Sequence, residues 1–226
     1  MHLVSMLYTR RGLVVAALAS ERVYSDLKER IILGDIAGNT LLSEGEIAEQ
    51  LGVSRTPVRE AFLRLQAEGW MHLYPKRGAL VEGVDSSEGN EILEARRLIE
   101  SWAASRLAAS PALLKKVADE LEATLVSQEA ALADDPDLQA FIVADLHFHQ
   151  VLVESAGNRI LTAVYQQLSD RQRRMTAYAV KTGSDRPYRV LKQHHDLLEA
   201  LRTGDPHQFV KALDHHFSDI HGASPR

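Results

Sequence analysis

Gly52-Val53-Ser54-Arg55-Thr56-Pro57-Val58-Arg59-Glu60-Ala61 breaks one helix and opens the next. Gly52 ends what precedes it, Ser54 stands at a helix start, and Pro57 sits in a first turn, where its missing N–H is not needed. Ala48 lies four residues before Gly52 and Val58 six after it. That spacing is the one a helix-turn-helix requires: a small residue where two helices cross, a glycine in the turn and an apolar anchor on the second helix. It places Arg55, Thr56 and Arg59 at the N-terminal end of the second helix, the end that a recognition helix pushes into the major groove. Arginines there can bond bidentately to guanine O6 and N7, and a helix N-terminus favours a phosphate.

Working outward, Val23 to Gly34 reads as an amphipathic helix with Val23, Leu27 and Ile31 on one stripe. Ser43-Glu44-Gly45-Glu46 is a capping box that opens a short helix through Leu51. A third helix is expected from about Ser54 to Glu68. After Gly69 the period changes: Trp70–Tyr74 and Ala79–Glu82 read as two strands around Pro75-Lys76-Arg77-Gly78. Three helices followed by a hairpin outline a winged helix.

The composition break lies at Glu82-Gly83-Val84-Asp85-Ser86-Ser87-Glu88-Gly89-Asn90. The expected division is therefore an N-terminal extension over 1–19, a winged helix over 20–82, a linker over 83–90 and an all-helical domain over 91–226. In the last, six helices are expected at about 88–109, 111–133, 137–156, 158–181, 184–203 and 205–221. They are punctuated by Pro111, Pro136, Gly157-Asn158, Gly183 and Gly204-Asp205-Pro206. The fold class is mainly α, a winged helix followed by a helical bundle.

Hydrophobic residues make up 45 % of the 226 and charged residues 25 %, an ordinary globular composition. Cysteine is absent, which excludes disulfides, thiolate catalysis and Cys-type zinc fingers and points to a reducing cytoplasm. The apolar run Leu13–Ala19 behind Arg10-Arg11 is too short to span a membrane. Ser20-Glu21-Arg22 is a poor cleavage site, so a soluble cytoplasmic protein is expected. Residues 1–82 carry ten Lys/Arg and ten Asp/Glu; residues 83–226 carry sixteen against twenty-one, the whole net charge of −5. Nucleic-acid binders usually show a basic domain, so any DNA contact here must come from a local cluster.

Eight of the ten histidines lie between residues 147 and 221. In the helix over 137–156, Leu138, Phe141, Ile142, Asp145, Phe148, His149 and Leu152 share one stripe. Leu191, His194, Leu198 and Leu201 share another, and Phe209, Leu213, His216 and Ile220 a third. A carboxylate buried without a partner is expensive, so Asp145 needs a cation or a network. One Asp and three His form a ligand set suited to zinc, nickel, manganese or iron(II). The same four residues could instead be a satisfied polar core. His147, His195 and His215 are fallback ligands should the helix phase be off by one. His2, His72, His207 and His221 read as surface residues.

The N-terminal motif, with Leu65, Glu68-Gly69-Trp70 and Arg77-Gly78-x-x-Val81, resembles the winged helix of the GntR family of bacterial repressors over about residues 20–82. The resemblance implies that Arg55, Thr56 and Arg59 contact bases or adjacent phosphates, Arg64 the DNA backbone, and Lys76 and Arg77 the minor groove from the wing tip. Many relatives have arginine where this chain has Gly45. Asp145-x-x-Phe148-His149, Ser155-Ala156-Gly157-Asn158, His194, Leu197-Leu198-Glu199-Ala200, Gly204-Asp205 and His216 resemble the C-terminal FCD domain of FadR-type members. In metal-binding members an Asp and three His hold a divalent ion, zinc foremost, and a small carboxylate effector completes its coordination. The implied ligands are Asp145, His149, His194 and His216; the spacing of 22 from His194 to His216 fits, and His195 would not. Arg96, four before Glu100, matches a recurrent arginine that either pairs with an acid or grips an effector carboxylate.

The implied function is a homodimeric, cytoplasmic transcriptional regulator. It would act as a repressor of an approximately palindromic double-stranded operator, controlled by a small organic acid. A metal-sensing regulator without an organic effector is the first alternative. A metal-dependent hydrolase or lyase is the second, and it needs a general base for which only His147 or Glu154 can be nominated.

Overall fold

The computed structural model describes residues 18–83, 86–181 and 185–221. The chain divides into two compact units, Met1–Gly83 and Val84–Arg226. In the first, helix α1 covers 18–32, α2 Glu44–Leu51 and α3 Arg55–Ala67. Val23, Leu27 and Ile31 are fully buried and meet Val58, Phe62 and Leu65 of α3, so the α1 stripe is this unit's core. Ser43 caps α2 by accepting from the Gly45 N–H. Gly52 ends that helix at φ 63°, its own N–H donating to the Ala48 and Glu49 carbonyls.

The sheet has three antiparallel strands in the order β1-β3-β2: β1 is Leu41–Leu42, β2 Met71–Tyr74 and β3 Gly78–Val81. The hairpin is the expected wing. Strand β1 is additional, and two residues are too few for an alternating pattern to show. Gly78 makes the three-strand arrangement possible: at φ 115°, a β-carbon there would lie 2.2 Å from the Leu42 carbonyl oxygen. At the wing tip the Arg77 N–H donates to the Tyr74 carbonyl across Pro75-Lys76, with Lys76 left-handed at φ 62°.

Glu68 binds this unit together. Its carboxylate accepts from the Tyr24 hydroxyl at 2.8 and 2.9 Å, from Lys28 Nζ at 2.7 Å and from Trp70 Nε1 at 3.3 Å. One acid thus links α1, the end of α3 and the start of the hairpin. Burial works to raise its pKa, but the hydrogen bonds from Lys28 and Tyr24 outweigh it and hold the group below its ordinary value.

The second unit contains α4 (Ser86–Ala108), α5 (Pro111–Ala131), α6 (Leu138–Ser155), α7 (Arg159–Lys181), α8 (Arg186–Arg202) and α9 (Pro206–His221). Each lies within two residues of its expected bounds. Helix α4 starts at Ser86, inside the stretch read as linker. Glu88 in its first turn suits the helix dipole, and that favourable term offsets the roughly 1 kcal/mol that Gly89 costs. Leu107, Leu121, Phe148, Leu152, Leu197 and Leu213 form the centre of the apolar core. Among the described residues no helix is long and apolar enough to cross a membrane.

Candidate nucleic-acid interface and metal centre

Arg55, Thr56 and Arg59 are exposed on the first turns of α3, and Lys76 and Arg77 are exposed at the wing tip. Arg55, Arg59, Lys76 and Arg77 line one open groove between α3 and the hairpin, with Gly45 and Glu44 of α2 in its wall. A unit with no net charge thereby presents a local cationic groove. Gly45 gives it room, since a β-carbon there would lie 3.3 Å from the Arg55 guanidinium. Arg64 is not brought to this groove. It lies about 140° around the helix from Arg59, donates to Glu21 at 2.6 Å and covers the Tyr24 ring at 3.6 Å. Its position is a brace between α3 and α1.

In the second unit the periodicity puts Asp145, His149, His194 and His216 on inward faces, and all four are buried. The ligating nitrogens of His149, His194 and His216 lie within 4.8 Å of one another. Asp145 Oδ1 is 3.5 Å from His194 Nε2, and its Oδ2 accepts from Thr176 Oγ1 at 3.3 Å. His147, His195 and His215 are exposed, as are His72 and His207. His2 and the side chains of Ile220 and His221 lie outside the described residues. Glu154 is exposed and accepts from Gln166, so neither nominee for a general base faces the cluster.

The hydrogen bonds set the ring orientations. His149 Nδ1 meets Glu100 Oε2 at 2.9 Å, His194 Nδ1 meets Gln128 Oε1 at 2.7 Å, and His216 Nδ1 meets Gln193 Oε1 at 3.0 Å. Each partner is an acceptor, so each Nδ1 carries a proton, and in a neutral imidazole that leaves Nε2 as the lone-pair atom. All three Nε2 atoms are buried without a hydrogen-bonding group among the described residues. Buried polar atoms normally have a partner, so three converging Nε2 atoms leave room for one that the protein does not supply. The donor chemistry fits a divalent cation, with the Asp145 carboxylate beside it. Burial pushes His194 and His216 well below the ordinary histidine pKa, which keeps them neutral. Burial also raises Asp145, with nearby His149 and Arg96 opposing it.

Arg96 and Glu100 form a buried pair one helical turn apart, Nε to Oε1 at 2.9 Å. Glu100 also accepts from the Tyr165 hydroxyl at 2.7 Å. Burial disfavours its charge, yet His149 and Arg96 prevail and hold it at about 2. Arg96 Nη2 is buried and has no acceptor among the described residues, while its guanidinium lies 4.7 Å from the Phe217 ring. Nε thus pairs with an acid, the first of the two roles expected of this arginine, while Nη2 remains a donor. Gln128, Gln193, Tyr165 and Thr176 escape sequence reasoning. Gln128 had a signal, since it continues the Leu121, Leu125 stripe of α5, where an apolar residue belongs.

Residues 19–81 match the bacterial regulatory proteins of the gntR family, and residues 91–219 match the FCD domain. The chain belongs to the GntR family of bacterial regulatory proteins, as a DNA-binding transcription regulator with an FCD domain. It is 29 % identical over 224 residues to the gluconate operon transcriptional repressor of Bacillus licheniformis, covering 96 % of this chain and 89 % of that one. It is 30 % identical over 204 residues to the HTH-type transcriptional repressor RspR of Escherichia coli K12, covering 89 % and 86 %. A crystal structure of a GntR transcriptional regulator from Rhodococcus sp. RHA1 shares the fold, with a TM-score of 0.70 at 24 % identity over 91 % of this chain and 99 % of that one.

Proposed function

We propose that this regulator is a cytoplasmic homodimeric repressor whose hold on an approximately palindromic operator is controlled by a small organic acid bound at a metal centre. The observation that carries the reading is the convergence of three buried imidazoles, each with Nδ1 engaged and Nε2 unpartnered. Asp145, His149, His194 and His216 would hold the ion, zinc foremost, with nickel, manganese and iron as the other candidates. A divalent ion there supplies a Lewis-acidic position for a carboxylate. Glu100, Gln128 and Gln193 fix the tautomers of the ligands, and Arg96 Nη2 donates to the acid. Repressor function is supported by the names of the two relatives above.

Arg55, Thr56 and Arg59 would read the major groove, with Lys76 and Arg77 at the minor groove. Arg64, braced on Glu21, supports α3 instead of reaching the DNA backbone. Two copies are needed because two half-sites mirror a two-fold axis. The acid can shift DNA binding only by binding the DNA-competent and DNA-free states with different affinity.

Metal content per chain is measured by plasma mass spectrometry on tag-free protein prepared without chelator, beside His194→Ala. About one equivalent in the parent and far less in the variant is expected. Operator binding is then titrated by fluorescence anisotropy with small carboxylates on the zinc-loaded protein. A folded, DNA-binding parent with no metal would remove the metal-centred mechanism. DNA affinity that follows zinc alone, with no response to any acid, would establish the metal-sensing alternative.

A further inference from the structure

The cations that line the groove of the winged helix sit on two different elements: Arg55 and Arg59 on α3, Lys76 and Arg77 at the tip of the hairpin. Their spacing is set by whatever ties the hairpin to the helix. At its base the Trp70 N–H donates to the Leu65 carbonyl at 2.9 Å, and Trp70 Nε1 donates to Glu68 at 3.3 Å. One tie lies farther out: the Leu73 N–H donates to Gln66 Oε1 at 2.7 Å. Among the described residues no hydrogen bond joins α3 to the hairpin nearer its tip. The strand order β1-β3-β2 leaves β2 at the edge, with Leu73 opposite Ala79 of β3. In an antiparallel pair alternate residues turn their N–H away from the partner strand, and that of Leu73 turns to α3. Gln66 follows Arg59 by seven residues, within about 20° of it around the helix, so the face that carries the arginines continues to this amide.

Gln66 is exposed, and water could satisfy an exposed edge N–H, so this bond is not needed to form the strand. Its consequence is directional. The Leu73 side chain rests on the core, but apolar packing has no preferred direction, whereas a hydrogen bond fixes a distance and an angle. From Trp70 to Lys76 the chain can extend roughly 20 Å, and from Leu73 to Lys76 roughly 10 Å. The bond to Gln66 thus halves the unsupported length of the wing. We propose that Gln66 is a positioning residue for operator recognition: it clasps the wing to the recognition helix and holds Lys76 and Arg77 at a fixed distance from Arg55 and Arg59. This rests on the DNA-contact reading above. A clasped wing meets the duplex already ordered, while a free one must be ordered on binding.

The test uses the full chain and a DNA duplex that the parent selects from a random pool, with binding read by fluorescence anisotropy across a salt series. Gln66→Leu removes the acceptor and should weaken binding about two- to tenfold, the worth of one net hydrogen bond. The discriminating readout is the coupling to Lys76. In the parent, Lys76→Gly should lower the logarithmic salt slope by about one. In Gln66→Leu the same change should lower it by less than about half as much, because a loose tip makes that phosphate contact only part of the time. Gln66→Glu keeps an Oε acceptor for the Leu73 N–H, so the full Lys76 effect should return even though the added charge weakens binding as a whole. Unchanged affinity in folded Gln66→Leu, a Lys76 effect of parental size in it, or a Lys76 effect still missing in Gln66→Glu would overturn the inference and leave DNA binding standing. If Gln66→Leu does not fold, Gln66→Ala, which suits an exposed helix position, carries the same expectation and the same refutation. A parent that selects no duplex would overturn the DNA-contact reading and this inference with it.

Discussion

Replacing Gln128 by leucine isolates the orientation of one imidazole from the presence of the ligand itself. Gln128 Oε1 accepts from His194 Nδ1 at 2.7 Å, and its Nε2 donates to the Ala144 carbonyl at 3.5 Å. Without that acceptor, the neutral ring gains by moving its proton to Nε2, where Asp145 lies 3.5 Å away. A protonated Nε2 cannot ligate. Loss of such an orienting partner costs typically 10- to 100-fold in metal affinity, about thirtyfold at the midpoint. At a free zinc concentration one hundred times the parent Kd, linkage gives about 2.7 kcal/mol of stabilisation. For the variant the same concentration is only about three times its Kd, which gives about 0.8 kcal/mol. The difference of about 1.9 kcal/mol shrinks the zinc-induced rise in Tm by roughly 4–8 °C for a chain of this size. Buffered-zinc thermal melts of the chelator-stripped protein, with Gln128→Glu as the acceptor-restoring control, read it directly. A zinc shift in Gln128→Leu equal to the parent's would show that Gln128 does not set the ring, and no shift in either protein would refute the metal centre.

Three further outcomes concern the winged helix. Lys76→Gly removes a charge at the wing tip and also the left-handed strain of a residue at φ 62°. Operator affinity should fall and its logarithmic salt slope drop by about one, with stability within about 1 kcal/mol of the parent, checked by anisotropy across a salt series and by urea denaturation. Gly78→Ala drives a β-carbon against the Leu42 carbonyl and should destabilise the unit by more than about 2 kcal/mol, read from Trp70 fluorescence in a Trp102→Phe background. Glu68 has a folded pKa below its unfolded one, so the stability it contributes is complete above the ordinary glutamate pKa and is lost as pH falls through the lowered value. Glu68→Gln should therefore flatten the acid limb of the Trp70 unfolding profile below the ordinary glutamate pKa; an unchanged limb would place the proton-linked stability elsewhere.

What the sequence disclosed, and what it did not, follows from how local each signal is. Gly52, Ser54 and Pro57 act on their own backbone, so the helix-turn-helix could be read within ten residues. The helices of the second unit are marked at nearly every end by Pro or Gly, and the ligand faces follow from a 100° rotation per residue. His149, His194 and His216 are accordingly buried, and their neighbours His147, His195 and His215 exposed. Strand β1 escaped because two residues carry no period, and its partner is 37 positions or more away in sequence. The surroundings of Arg64 were equally hidden, since only the packing of α1 reveals Glu21 and Tyr24 beneath its guanidinium.

The orienting residues were hidden for a deeper reason. A glutamine on an apolar stripe carries no mark of its role until another helix is placed against it. His194 of α8 meets Gln128 of α5, across 66 residues, and His149 of α6 meets Glu100 of α4, across 49. The histidines alone suggest metal chemistry or an ordinary polar core, and no count of them separates the two. What bears on the choice is which ring nitrogen is engaged: in each of the three it is Nδ1, which leaves Nε2 as the atom that would ligate an ion. Substitution at Gln128, which supplies no metal ligand, therefore discriminates between a metal centre and a polar core.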